Sequence, residues 1–130
     1  MKMRVVVCGG RDFQDRELCF KTLDSLLEEE TDVEIVTGGA GGADALGAEY
    51  AQARVRELTV FKPEWDRFGK SAGPVRNRQM VSYAGETRAA VVAFWDGASP
   101  GTASTISFAR QAGVETHVIR YQSETDDGSN

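Results

Sequence analysis

Val33-Glu34-Ile35-Val36-Thr37-Gly38-Gly39-Ala40-Gly41-Gly42-Ala43-Asp44-Ala45-Leu46 is the stretch that decides the fold. Its short, largely β-branched run predicts a buried strand over Val33 to Thr37. Four glycines then break the chain, and an alanine-rich segment from Ala43 to Val55, with Leu46 and Tyr50 four apart, predicts a helix. One unit of strand, glycine turn and helix invites a search for others. Upstream, Met3 to Cys8 is a second apolar run, ending at Gly9-Gly10. The helix that follows it, Asp15 to Glu30, carries Leu18, Leu23, Leu26 and Leu27 near helical spacing. Downstream, Leu58 to Phe61 reads as a third strand, and Lys62 to Gly73 as the one long loop, a kind of segment that often carries function. Pro74 suits the first position of a helix to about Ala84. A fourth strand over Ala89 to Phe94, a turn at Asp96 to Gly101, a helix to Ala112 and a fifth strand over Val114 to Arg120 complete the alternation.

Strands that are apolar throughout belong to a parallel sheet covered on both faces. Right-handed crossovers make this a single Rossmann-like, doubly wound α/β sheet of about five strands, expected in the order 3-2-1-4-5. Ligands bind such sheets where the order reverses, here between the first and fourth strands. The loops there are Gly9-Gly10-Arg11-Asp12 and Asp96-Gly97-Ala98-Ser99-Pro100-Gly101-Thr102. The expected domain is 1–120, followed by a polar, acidic and disordered tail at 121–130.

The 130 residues are 41% hydrophobic and 27% charged, a composition that fits one globular core. Only Cys8 and Cys19 occur, which excludes a disulfide framework and a zinc site. No metal and no cofactor are expected. The chain holds no apolar run of membrane-spanning length and no signal-peptide core, so a cytoplasmic protein without membrane contact is expected. Formal charge is −5, but Glu124, Asp126 and Asp127 supply three of those negatives, leaving about −2 elsewhere. A general nucleic-acid binder would be basic. Locally, however, Arg67, Lys70, Arg76 and Arg78 fall in one stretch free of acids, which suits a small anionic molecule.

Glycines crowd the βα turns, where bare amides can approach a phosphate at the positive end of the next helix. The alternative is that they only make tight turns. Standard signatures fail. The run from Gly39 reaches Asp44 where a dinucleotide fingerprint needs glycine or alanine, and Gly69-Lys70-Ser71 lacks the earlier glycine of a P-loop. Gly97-Ala98-Ser99-Pro100-Gly101 spells a nucleophile elbow, but Pro100 has no N–H for the oxyanion hole. Ser99 instead suits a helix cap, leaving the amides of Gly101 and Thr102 for an anion. His117, the only histidine, reads as a packed strand residue. Arg76 shares a helix face with Met80 and Tyr83 and is expected to face the crevice, with a salt bridge as its alternative; Arg78 lies on the outside. Trp65 and Trp95 flank the crevice, where each either stacks on a base or simply packs.

Gly9-Gly10-Arg11-Asp12-Phe13, Thr37 to Asp44, Gly73-Pro74-Val75-Arg76-Asn77-Arg78-Gln79-Met80 and Gly97 to Thr102, in this order, resemble the YspA-like, cpYpsA-related branch of the SLOG superfamily, over nearly all of residues 3 to 120. That superfamily includes the Lonely Guy phosphoribohydrolases, DprA-type DNA-processing proteins and sensors of nucleotide-derived signals. The resemblance implies a phosphate or ribose phosphate at the Gly97 to Thr102 loop. The Lonely Guy pattern places an arginine four residues before a methionine, which looks like Arg76 and Met80. Its second motif ends in a catalytic glutamate, where this chain has Thr105. Splitting an N-glycosidic bond needs a carboxylate. Asp12, Asp44 or Asp96 could stand in, though each also suits a structural role.

The leading expectation is therefore a binding protein for a nucleotide or nucleotide-derived ligand, ribose phosphate or ADP-ribose-like. Its expected contacts are Gly9, Gly10, Arg11, Gly38, Gly39, Gly41, Gly42, Asp44, Arg76, Asn77, Gly97, Ser99, Gly101 and Thr102. The alternative is a nucleoside 5′-monophosphate N-glycoside hydrolase using Arg76 and one of Asp12, Asp44 and Asp96. A DNA-handling role is weaker. A homodimer is the expected assembly.

Overall fold

A computed structural model describes residues 1–123. Five parallel strands form one sheet in the order β3-β2-β1-β4-β5, as the alternation predicts. They are β1 (Met3–Gly9), β2 (Val33–Thr37), β3 (Glu57–Val60), β4 (Arg88–Trp95) and β5 (Glu115–Arg120). The connecting helices are α1 (Arg16–Leu27), α2 (Ala43–Ala53), α3 (Trp65–Phe68), α4 (Ala72–Ala84) and α5 (Pro100–Gln111).

Alternate strand residues point to opposite faces, so the central strands supply two cores. Val5, Val7, Ile35, Ala90 and Val92 pack with Leu23, Leu27 and Tyr50 of α1 and α2. Val6, Cys8, Val36, Val91 and Ala93 pack with Met80, Val81, Ile106 and Ala109 of α4 and α5. This two-sided burial explains the apolar runs in the sequence.

The segment read as one long loop is not irregular throughout. Trp65–Phe68 makes a single helical turn, Gly69–Ser71 a 3₁₀ turn, and α4 starts at Ala72, two residues before Pro74. Proline is accepted there because the first four N–H groups of a helix have no intrahelical acceptor, so the rule that singles out the first position also admits the third. Within the expected 121–130 tail, Tyr121 packs edge-on against Phe13, and Ser123 is buried. The remainder of that tail, 124–130, lies outside the described residues.

Candidate functional site

The reversal of strand order leaves a cavity of about 510 Å³ above the C-terminal ends of β1 and β4. The loop after β1 brings Gly9, Gly10, Arg11 and Asp12 to it. The loop after β4 and the first turn of α5 bring Asp96, Ser99, Gly101 and Thr102, while α2 contributes Asp44 and α4 contributes Arg76 and Asn77. Gly38, Gly39 and Gly41 line an adjoining cavity instead. Gly42 and Gly97 line neither: a side chain at Gly42 would strike the carbonyl of Gly10, and one at Gly97 the guanidinium of Arg120. Gly42 also has φ of +64°, so its glycine serves the turn itself.

Gly101 is different. It is the second residue of α5, its φ is ordinary for a helix, and a side chain there would meet nothing within 4 Å. A helix gains from alanine over glycine at such a place, so no internal packing or backbone demand accounts for this one. The amides of Gly101 and Thr102 have no acceptor among the described residues. They sit at the positive end of the helix, and both residues line the cavity.

The loop before α5 is shaped by Asp96, whose Oδ1 accepts the amides of Ala98 at 2.9 Å and Ser99 at 2.8 Å. Those two bonds hold its carboxyl below the ordinary range. Ser99 occupies the cap position of α5, yet its side chain makes no capping bond; Asp96 does the turning instead. Trp95 Nε1 donates to the Ser99 carbonyl at 3.0 Å, so this tryptophan clamps the loop and does not line the cavity.

Arg76 is half-buried and makes no salt bridge among the described residues. Its Nη1 donates to the carbonyls of Gly38 at 2.5 Å and Phe61 at 3.3 Å, and its Nε to Asn77 Oδ1 at 2.9 Å. Nη2 keeps no partner among the described residues. The guanidinium is thus held by hydrogen bonds to neutral acceptors, with the Asp44 carboxylate close enough to offset part of its charge. Burial, which opposes the charged form, lowers its pKa from the ordinary arginine value, with Asp44 and Cys8 countering in part and Arg11 adding to the fall.

The three carboxylates that could act as a displaced catalytic acid or base differ in environment. Asp12 accepts from Tyr121 Oη and Ser123 Oγ, both at 2.5 Å, and ties down the chain after β5. Asp96 is occupied by its loop. Asp44 is 7% exposed and accepts the Ala40 amide at 3.1 Å. Burial pushes its pKa above 3.8, against the opposing pull of the Ala40 amide, Arg76, the Gly38 amide and Arg11. Thr105, standing where the Lonely Guy pattern has glutamate, is buried on the cavity wall and its hydroxyl turns to the Gly101 carbonyl at 3.4 Å. Cys8 also lines the cavity, with a thiol that burial and nearby Asp44 hold protonated. No group of three or more His, Cys, Asp or Glu suited to a metal ion occurs among the described residues.

Cys8, Met80, Thr105 and Ser123 also line the wall without having been singled out as ligand contacts, as do Ala40 and Pro100. The first three carry a usable signal, since Cys8 is the last residue but one of β1, Met80 lies one turn after Arg76, and Thr105 lies one turn into α5. His117 lies half-exposed in β5 beside Glu115, away from this cavity. Arg78 lies outside, its guanidinium 4.8 Å from the ring centre of Phe108.

A doubly wound α/β sheet with its crevice at the strand-order reversal defines the architectural class of this protein. The model of the YspA, cpYpsA-related SLOG family matches residues 3–68, and the chain belongs to that family. It is also similar to the Gene 61 protein of Mycobacterium phage D29, 32% identical over 117 residues that span 85% of this chain and 91% of that one. No helix among the described residues is long and apolar enough to cross a membrane.

Proposed function

We propose that this protein binds a nucleotide or nucleotide-derived ligand by a phosphate group seated at the start of α5. The observation that carries this reading is the pairing of Gly101 and Thr102 amides that have no acceptor among the described residues with a half-buried Arg76 that makes no ion pair among them, on the same cavity wall. Amides, helix dipole and guanidinium then act on one anion. Of the carboxylates on the remaining wall, Asp12 is held by Tyr121 and Ser123 and Asp96 by its loop, which leaves Asp44 as the acceptor for a sugar hydroxyl. Family membership supports a nucleotide-related ligand of this kind. The test is calorimetric titration with ribose 5-phosphate and AMP. Binding that weakens strongly in Arg76→Met supports the reading, and no heat at millimolar ligand overturns it.

A second reading, cleavage of the N-glycosidic bond of a nucleoside 5′-monophosphate, is favoured by the environment of Asp44. Of the three carboxylates on the wall, it is the one buried with a raised pKa, the condition that suits a general acid or base. Incubation with a panel of nucleoside 5′-monophosphates should then release free base, and Asp44→Asn should abolish the release. Recovery of every nucleotide intact leaves binding alone.

A further inference from the structure

Beside the phosphate cavity lies a second one, of about 520 Å³, over the ends of β2 and β3. Its lining contains Arg11, Lys62 and Arg76 and no carboxylate. None of the three forms an ion pair among the described residues. Arg11, Ala40 and Arg76 line both cavities, so the two share a wall. Trp65 stands at this second cavity with 54% of its surface exposed. Val60, also exposed, lies against the neighbouring Gly39. Large apolar groups left in water beside three unpaired cations fit an aromatic partner that carries negative charge.

The geometry points to a subsite for a base and a second phosphoryl group, making the ligand a nucleoside 5′-diphosphate or an ester of one. This rests on the reading that a phosphate sits at α5. The base lies on the indole of Trp65, the α-phosphoryl group lies among Arg11, Lys62 and Arg76, and the β-phosphoryl group reaches the amides of Gly101 and Thr102. Arg76, common to both cavities, stands between the two phosphoryl groups. A ribose 5-phosphate fills the first cavity and leaves the second empty.

The experiment compares ribose 5-phosphate with ADP by calorimetry and by tryptophan fluorescence. ADP should bind at least about tenfold tighter, corresponding to about 1.4 kcal/mol. That ratio should collapse toward one in Lys62→Ala and in Trp65→Ala, whose side chains are exposed and make no hydrogen bond among the described residues. ADP, but not ribose 5-phosphate, should quench the fluorescence, and Trp65→Phe should abolish the quenching although Trp95 remains. Equal affinities for the two ligands, or a ratio untouched by both substitutions, overturn the second subsite while leaving a phosphate at α5 in place. If neither ligand binds at millimolar concentration, the phosphate reading fails and this subsite fails with it.

Discussion

The two ends of the sheet carry similar charges and treat them in opposite ways. At the N-terminal ends of the strands, Lys2 pairs with Glu57, Arg88 with Glu30, and Arg4 with both Glu34 and Glu86. Glu34, only 2% exposed, also accepts from Thr59 Oγ1 at 2.6 Å and Tyr83 Oη at 2.5 Å. At the C-terminal ends, Arg11, Lys62 and Arg76 have no ion-pair partner among the described residues, the carboxylate of Asp44 is buried with a raised pKa, and two helix amides are unfilled. One end is closed by its own groups, and at the other these cations and amides keep no such partner among the described residues. Unsatisfied polar groups are costly to stability, and apart from Arg56 Nε, which is buried without a partner among the described residues just before β3, those named here gather at the C-terminal end, which is the ground for proposing a site there.

The largest effect should come from breaking the closed end. Glu34→Ala takes the shared acceptor from Thr59 and Tyr83 and leaves Arg4 with Glu86 and the Tyr83 carbonyl alone, and should destabilise the fold by about 3 kcal/mol in urea unfolding, with ligand affinity little changed. The open end should answer the other way. Arg76→Met should weaken ribose 5-phosphate binding about 30-fold, or about 2 kcal/mol, by calorimetry. Its effect on unfolding should be smaller, because it removes bonds to neutral acceptors only. If Glu34→Ala abolished binding and Arg76→Met mainly unfolded the protein, the division between the ends would be wrong.

Gly101→Ala separates the two demands within one residue. The added methyl enters open space on a helix, so unfolding should become harder by about 0.5–1 kcal/mol. The same methyl lies where a phosphate would approach the amides, so affinity should fall. Gains in both stability and affinity would mean that no ligand approaches there.

The sheet was legible in the sequence because buried parallel strands with glycine turns repeat as a unit, and handedness then fixes their order. Less legible was the purpose of each glycine. Gly42 and Gly101 look alike as letters, yet one is demanded by a positive φ and a neighbouring carbonyl while the other is demanded by nothing inside the protein. Glu34 was hidden within an apolar strand. A charge in a central strand is itself a signal, but its partners come from the beginning of β1, from Thr59 in β3 and from the end of α4, and nothing local announces them. Tyr121 and Ser123 escaped because polarity suggested a loose tail, whereas Asp12 offers them two acceptor oxygens and Phe13 a ring.

The smallest effect is the sharpest in sign. Burial pushes the Glu34 carboxyl up, but hydrogen bonds from Thr59, Tyr83 and Arg4 outweigh it and hold the pKa below 4.5. A carboxylate with a lowered folded pKa contributes stability that is present above the unfolded value and is lost as pH falls through the folded one. Asp44 has the reverse shift, so its ionisation subtracts stability, and the penalty is absent below 3.8 and complete once pH passes the raised folded value. Melting curves from pH 3 to pH 7 should therefore show Glu34→Gln losing ground to the unsubstituted protein as pH rises, and Asp44→Asn gaining on it. Other carboxylates with lowered pKa, Asp24 and Glu30 among them, act on all three proteins alike, so the differences isolate the two ends. Slopes of the same sign would show that Asp44 has found a stabilising partner of its own, and the open end would then be closed like the other.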